Sequence, residues 1–198
     1  DSVGIVTARA GINMSGGQLL VGTGVTIGVA GIATFRSGRI DVGDSLYNTS
    51  IGEKAGDAYT TGSRNTAVGY AALTDTTTGA YNVAVGMQAL DTNTTGERNT
   101  SVGTYSLYSN TTASYNSGLG YYALYANTTG ASNVAIGYQA LTTNTTADNN
   151  TAVGRGALYA NTTGANNVAV GAFSLDANTT GDDNVAIGRD ALTACTAS

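Results

Sequence analysis

The sequence predicts an all-β chain, a parallel β-solenoid of nine coils, and three observations carry that prediction. Asn recurs at 48, 65, 82, 99, 116, 133, 150, 167 and 184, always 17 residues apart. Gly recurs four places later at 52, 69, 86, 103, 120, 137, 154, 171 and 188, with no insertion anywhere. The unit, with substitutions in individual copies, reads N-[TV]-[AS]-[VI]-G-x-x-[AS]-L-x-x-N-T-T-G-x-x, a β-branched segment followed by corner and turn residues. A fixed period is the mark of stacked equivalent units, and a helical repeat of this kind needs roughly 33 residues or more. The chain divides into residues 1–47, which lack the unit, and residues 48–198, which carry nine copies.

Counting the recurrent Asn as position one, positions two to four alternate along a short strand ("NVAVG" at 167–171). Position four is apolar in every copy: Ile51, Val68, Val85, Val102, Leu119, Ile136, Val153, Val170 and Ile187. Position three is always Ala, Ser or Gly, so one face carries bulk and the other permits close approach of a second surface. Gly at position five fits a corner, because it reaches backbone angles closed to other residues. A second short strand then runs to the Leu at position nine. "NTTG" follows, where Asn and Gly favour a left-handed turn. With coils stacked ~4.8 Å apart, nine coils make a rod on the order of 43 Å long.

Stacking in register puts identical amides above one another, so Asn93, Asn110, Asn127, Asn144, Asn161 and Asn178 are expected to form a structural ladder, as Asn does in cross-β stacks. The Thr pairs from 60–61 to 179–180 stack likewise, and an insertion would throw every later rung out of register. Two or three large apolar side chains per coil are thin for a core. The columns of tiny residues therefore suggest burial against identical chains, a homo-oligomer. Residues 1–47, where "GIVTARAGI" at 4–12 and "GIATFRSGRI" at 31–40 echo each other, fit a Gly-rich β shaft or a cap on the first coil.

Composition narrows the function. The 28 glycines, the lack of proline and the abundant Thr, Asn, Val and Tyr suit a β-rich chain with many tight turns. A net charge of −5 with eight Lys and Arg in all argues against nucleic acid, whose binding needs clustered cations. No apolar run approaches ~20 residues, so no membrane insertion is expected. Cys195 stands alone, so no intrachain disulfide forms.

The runs "NTAVGYAAL", "NVAVGMQAL", "NVAIGYQAL" and "NTTG" resemble the head repeats of YadA-type trimeric autotransporter adhesins. They resemble still more closely the "GYQAL…NTTG" arrays of bacteriophage tail fibres, and "GIVTARAGINMSGG" is similar to segments of marine cyanophage structural proteins. The resemblance implies a left-handed β-roll, a homotrimer and a role in attachment. The membrane-anchor barrel of the adhesins has no counterpart in the sequence, which favours a phage fibre or a fragment. A following chaperone domain is also missing, as cleavage after "ACTAS" would explain.

The expected role is therefore a structural and adhesive fibre segment of a phage tail fibre or similar surface appendage, placed on the virion or an extracellular surface. A bacterial adhesin head binding host glycans or matrix is the first alternative, and a self-assembling extracellular filament the second. Its partners would be identical chains, other fibre or tail proteins and a host surface glycan or protein receptor. No cofactor, metal or enzymatic activity is expected. The chain has no His, and Asp182–Asp183 are neighbours in sequence rather than an acid–base pair. "NTT" sequons place Asn in the ladder, a poor glycan acceptor, and adjacent Thr pairs cannot both face outward as an ice-binding array would need. Recognition is better sought at the variable positions beside the corner Gly and the Leu. There Tyr105, Tyr108, Tyr121, Tyr122, Tyr125 and Tyr138 are the receptor-binding candidates, several of them one coil apart in the same column.

Overall fold

The computed structural model describes residues 45–194. The proposed shaft of residues 1–47, apart from its last three residues, and Cys195 lie outside the described residues. Nine strands appear in chain order: β1 (Thr49–Ile51), β2 (Thr66–Val68), β3 (Val83–Val85), β4 (Thr100–Val102), β5 (Ser117–Leu119), β6 (Val134–Ile136), β7 (Thr151–Val153), β8 (Val168–Val170) and β9 (Val185–Ile187). They form one parallel sheet in sequential order, and no helix occurs among the described residues. The register advances by one repeat at every step, from Thr49 opposite Thr66 to Val170 opposite Ile187. The fold is a parallel β-solenoid.

Only one strand forms per coil. The segment after the corner Gly was expected to be a second strand, but its seventh and ninth positions have left-handed φ, as at Tyr105 (58°) and Leu107 (51°). It is a chain of turns that still bonds to both neighbouring coils: the Tyr105 amide donates to Met87 O (3.0 Å) and the Leu107 amide to Ala123 O (2.9 Å). Left-handed φ costs an L-residue about 1–2 kcal/mol. Leu repeats there because its side chain is wholly buried from Leu73 to Leu175, which returns about 1.5–3 kcal/mol.

The two glycines of the repeat have different reasons. Gly at position five has φ near +130°, and a Cβ on Gly137 would sit 2.6 Å from the carbonyl oxygen of Gly154 in the next coil. The "NTTG" Gly was expected to be left-handed and is not. Gly79 carries ordinary φ and is small because the next coil passes close, with Gly96 O 2.5 Å from where its Cβ would be. Ala113 and Ala147 fill the same position in their coils.

The sense of the strands corrects a second expectation. The tiny residues of position three (Ala67, Ala84, Ser101, Ala135, Ala152 and Ala169) are buried inside their own coil, not on a surface open to other chains. A Cβ on Gly118 of that column would meet Ser106 Oγ and Leu107 Cγ, which shows what the column packs against. The bulky residues of positions two and four point outward instead, with Val85 36% and Leu119 48% exposed.

Two buried Asn ladders complete the interior. Asn110 donates Nδ2–H to Asn93 Oδ1 (3.0 Å), and the pattern continues through Asn127 (3.0 Å), Asn144 (2.9 Å), Asn161 (2.9 Å) and Asn178 (2.8 Å). In the other ladder, Oδ1 of each position-one Asn accepts the backbone N–H of the next, as from Asn82 to Asn65 (2.9 Å) and from Asn133 to Asn116 (2.9 Å). From Thr60 to Thr162 the first Thr of each pair donates Oγ1–H one coil onward, as Thr128 does to Thr145 O (3.0 Å). The second Thr is exposed.

Candidate functional site

The six candidate tyrosines come together on the face that follows the corner. Gly103 and Gly120, with φ of 132° and 137°, turn the chain off the sheet and present Tyr105, Tyr121 and Tyr122 from the next residues. Tyr108 and Tyr125 follow the buried Leu107 and Leu124. Because the coils repeat in register, equivalent rings lie nearly parallel: Tyr105 and Tyr122 at 5.3 Å and 9°, Tyr108 and Tyr125 at 5.4 Å and 10°, Tyr121 and Tyr138 at 5.7 Å and 8°. Neighbouring columns meet edge to face, the tightest being Tyr121 with Tyr122 at 4.2 Å and 80°.

This packing decides what the patch can offer. Stacking turns the ring faces toward one another along the columns, so an incoming molecule meets mainly ring edges and hydroxyls. Tyr121 and Tyr138 are exposed, whereas Tyr105, Tyr108, Tyr122 and Tyr125 are half-buried. The hydroxyls of Tyr121 and Tyr108 hold their protons more firmly than usual. For Tyr121 the largest cause is a hydrogen bond with Tyr122, followed by burial and the surrounding phenols. For Tyr108 burial leads, followed by the Asp91 carboxylate. The two ends of the patch differ in charge: Asp91, held by Gln88 Nε2 at 3.1 Å, lies toward Tyr108, and the Arg155 guanidinium sits between the rings of Tyr138 (6.0 Å) and Phe173 (5.0 Å).

The ladder residues Asn93 to Asn178 are wholly buried in the interior. The Asp182 carboxylate accepts the Ala165 amide of the preceding coil at 2.6 Å, so it stitches coils together. Among the described residues no group of three or more His, Cys, Asp or Glu could hold a metal ion, and no helix is long and apolar enough to cross a membrane. No protein-family model, no curated protein and no solved structure matches the chain.

Sequence reasoning missed a second aromatic column. At position seventeen, Tyr47, Arg64, Tyr81, Arg98 and Tyr115 alternate with guanidiniums between rings. Its signal was present as Y-R-Y-R-Y at the repeat spacing.

Proposed function

We propose that the chain is a non-enzymatic structural and adhesive segment of a fibre, from a phage tail fibre or a similar surface appendage, working as a homotrimer on the virion or an extracellular surface. The observation that carries this reading is the outward sheet face. Position four alone lines it from Ile51 to Ile187 with Ile, Val or Leu, and position two adds Val83, Val134, Val168 and Val185. A contiguous apolar surface longer than a few hundred Å² on one molecule marks an interaction site. Identical coils on identical chains would meet it in register, so self-association buries it along the whole rod. Three chains rather than two is the count implied by the resemblance to trimeric fibre repeats. Such a rod holds a receptor-binding end away from its particle, joined to other fibre or tail proteins.

The tyrosine patch favours a second reading within the same class, an adhesin head that contacts a host glycan or protein receptor itself. A trimer would present the patch three times, so weak contacts would add by avidity.

Light scattering on the purified chain tests the assembly. The expected mass is three times the 19.8 kDa of one chain. Replacing Val85 and Leu119 by Lys should release monomers without changing the coil. A parent protein that stays at the mass of one chain at micromolar concentration would refute the reading. Tyr121→Ser with Tyr138→Ser then separates head from spacer: surface attachment is lost if the patch binds and kept if it does not.

A further inference from the structure

The position-seventeen column does something the tyrosine patch does not. Tyr47, Arg64, Tyr81, Arg98 and Tyr115 are all exposed, and each has left-handed φ between 56° and 65°. Their heights are fixed by the backbone: the Arg64, Tyr81, Arg98 and Tyr115 amides donate to Leu46, Ser63, Ala80 and Glu97 carbonyls at 3.0–3.1 Å. The Arg64 guanidinium lies 5.5 Å from the Tyr47 ring and 5.3 Å from Tyr81. Arg98 lies 5.3 Å from Tyr81 and 5.6 Å from Tyr115. Tyr81 therefore has a cation on each face.

With ring faces covered, no sugar or base can stack on Tyr81. What remains outward is a row of donors. Arg64 Nη1 donates to the Tyr81 hydroxyl and Arg98 Nη1 to the Tyr115 hydroxyl, both at 3.2 Å. The Tyr81 and Tyr115 phenols thus each accept from an Arg and keep their own O–H as a donor, and a guanidinium has five N–H groups in all. A rigid line of donors with two positive charges calls for a ligand rich in acceptors and negatively charged. The spacing says how densely charged. The cations occupy alternate coils, roughly 10 Å apart at ~4.8 Å per coil. A nucleic-acid strand carries a charge every ~3.4 Å, too dense for cations at this spacing. A polymer charged at alternate sugar units suits it.

We propose that this column binds an extended acidic polysaccharide, one carboxylate at each guanidinium and sugar hydroxyls at the phenols beside them. The attachment role gives this binding its biological meaning, but the chemistry stands on the column itself. Glu97 Oε2, 2.8 Å from Arg98 Nη1, occupies the place of a ligand carboxylate in a half-exposed pair. Such exposed pairs are weak, so a ligand that engages Arg64 as well can displace it.

The test uses the full chain with two probes at low salt, read by calorimetry: hyaluronan oligosaccharides, which carry a uronate at alternate sugars, and uncharged chitin oligosaccharides of equal length. Hyaluronan should bind, more weakly as salt rises, and the chitin oligomer should not. Arg64→Gln with Arg98→Gln should weaken binding about tenfold or more, because bonds to a charged group are lost. Arg189→Gln, an exposed cation of the last coil paired with Asp190, should leave it unchanged. Glu97→Gln should strengthen binding, which a merely structural stack would not do. Equal binding of the two probes, or a Glu97→Gln variant that binds hyaluronan no better than the parent, would overturn the proposal, as would undiminished binding by a folded Arg double variant. None of these results touches the fibre reading, which is judged on particle mass.

Discussion

Asn127→Asp exchanges a single amide group for an oxygen and should cost a large part of the stability. Asn127 Nδ2 donates to Asn110 Oδ1 (3.0 Å) and to Gly130 O (2.9 Å), and its Oδ1 accepts from Asn144 (2.9 Å), all in a fully buried column. The substitution keeps the shape and the acceptor but turns the donor into an oxygen facing two oxygens. Two hydrogen bonds at ~1 kcal/mol each are lost. Burying a carboxylate with no cation beside it adds several more, for a total on the order of 5 kcal/mol. For 150–250 residues each kcal/mol shifts Tm by roughly 2–4 °C, so a drop of about 10 °C or more is expected at pH 7. Acid should repair part of it. Burial and the facing oxygens raise the folded-state pKa of the introduced carboxyl above its unfolded value of ~3.9. The variant's relative stability is then greatest below that value and falls as pH rises through the folded pKa. Thermal melts of parent and variant at pH 7 and pH 4, with the exposed Thr129→Ser as control, decide it. A Tm within about 2 °C of the parent at pH 7, or a deficit that grows in acid, would refute the ladder's role.

The two classes of glycine should respond differently to a methyl group. Gly137→Ala combines a φ of 134° with a Cβ 2.6 Å from a backbone oxygen and should cost about 3 kcal/mol or more, whereas Gly79→Ala, at a position that Ala113 and Ala147 already fill, should cost about 1 kcal/mol or less. Equal melting shifts would count against that distinction. Raised phenol pKa values at Tyr121 and Tyr108 mean that the neutral hydroxyls stabilise the folded chain below the ordinary value of about 10, and that this contribution is lost as pH rises through the raised values. Ultraviolet titration should show late-ionising tyrosines that Tyr121→Phe and Tyr108→Phe each reduce by one. Uniform titration of all tyrosines near pH 10 would contradict the packing of the patch.

Much of the fold was legible because each ladder repeats the same contact and so writes it into the period. Asn127 cannot be moved without breaking bonds to Asn110 and Asn144, and the spacing records that constraint. The outward sense of the strands was not legible. Alternation shows that Ala84 and Val85 face opposite ways, but only the coil's width shows which way is in. Nor was the backbone of the second segment, since a left-handed Leu107 defies local preference and is held there by burial. The six tyrosines could be placed in columns from their spacing. Their half-burial and stacked faces depend on the tilt of each rung, which spacing does not encode. The Tyr–Arg column was written as plainly as the tyrosines, but its residues differ from rung to rung, and a search for like above like passes over them.

The inverted strand ties the narrow interior to the exposed apolar sheet face. Each of the six coils from Asn82 to Asp183 already holds one buried Leu, two small residues at positions three and eight, and two Asn amides. Replacing Ala84 by a Val-sized group would press on the Leu and Ala columns, much as a Cβ on Gly118 would press on Ser106 and Leu107. The cross-section is too narrow for a second large side chain, so the β-branched residues that favour a strand can only go outside. Their exposure is then a consequence of building a thin coil whose cohesion comes from amide ladders. A coil of this width cannot hide its own strand residues, and widening it would break the Asn contacts that hold the register. The apolar sheet face is therefore left exposed on the single chain, which is what the proposed self-association would cover. On the proposed reading, position four, apolar in all nine copies although it lies outside the core, would be kept for that contact, while positions six, seven, ten and seventeen, which change from coil to coil, would be free for recognition.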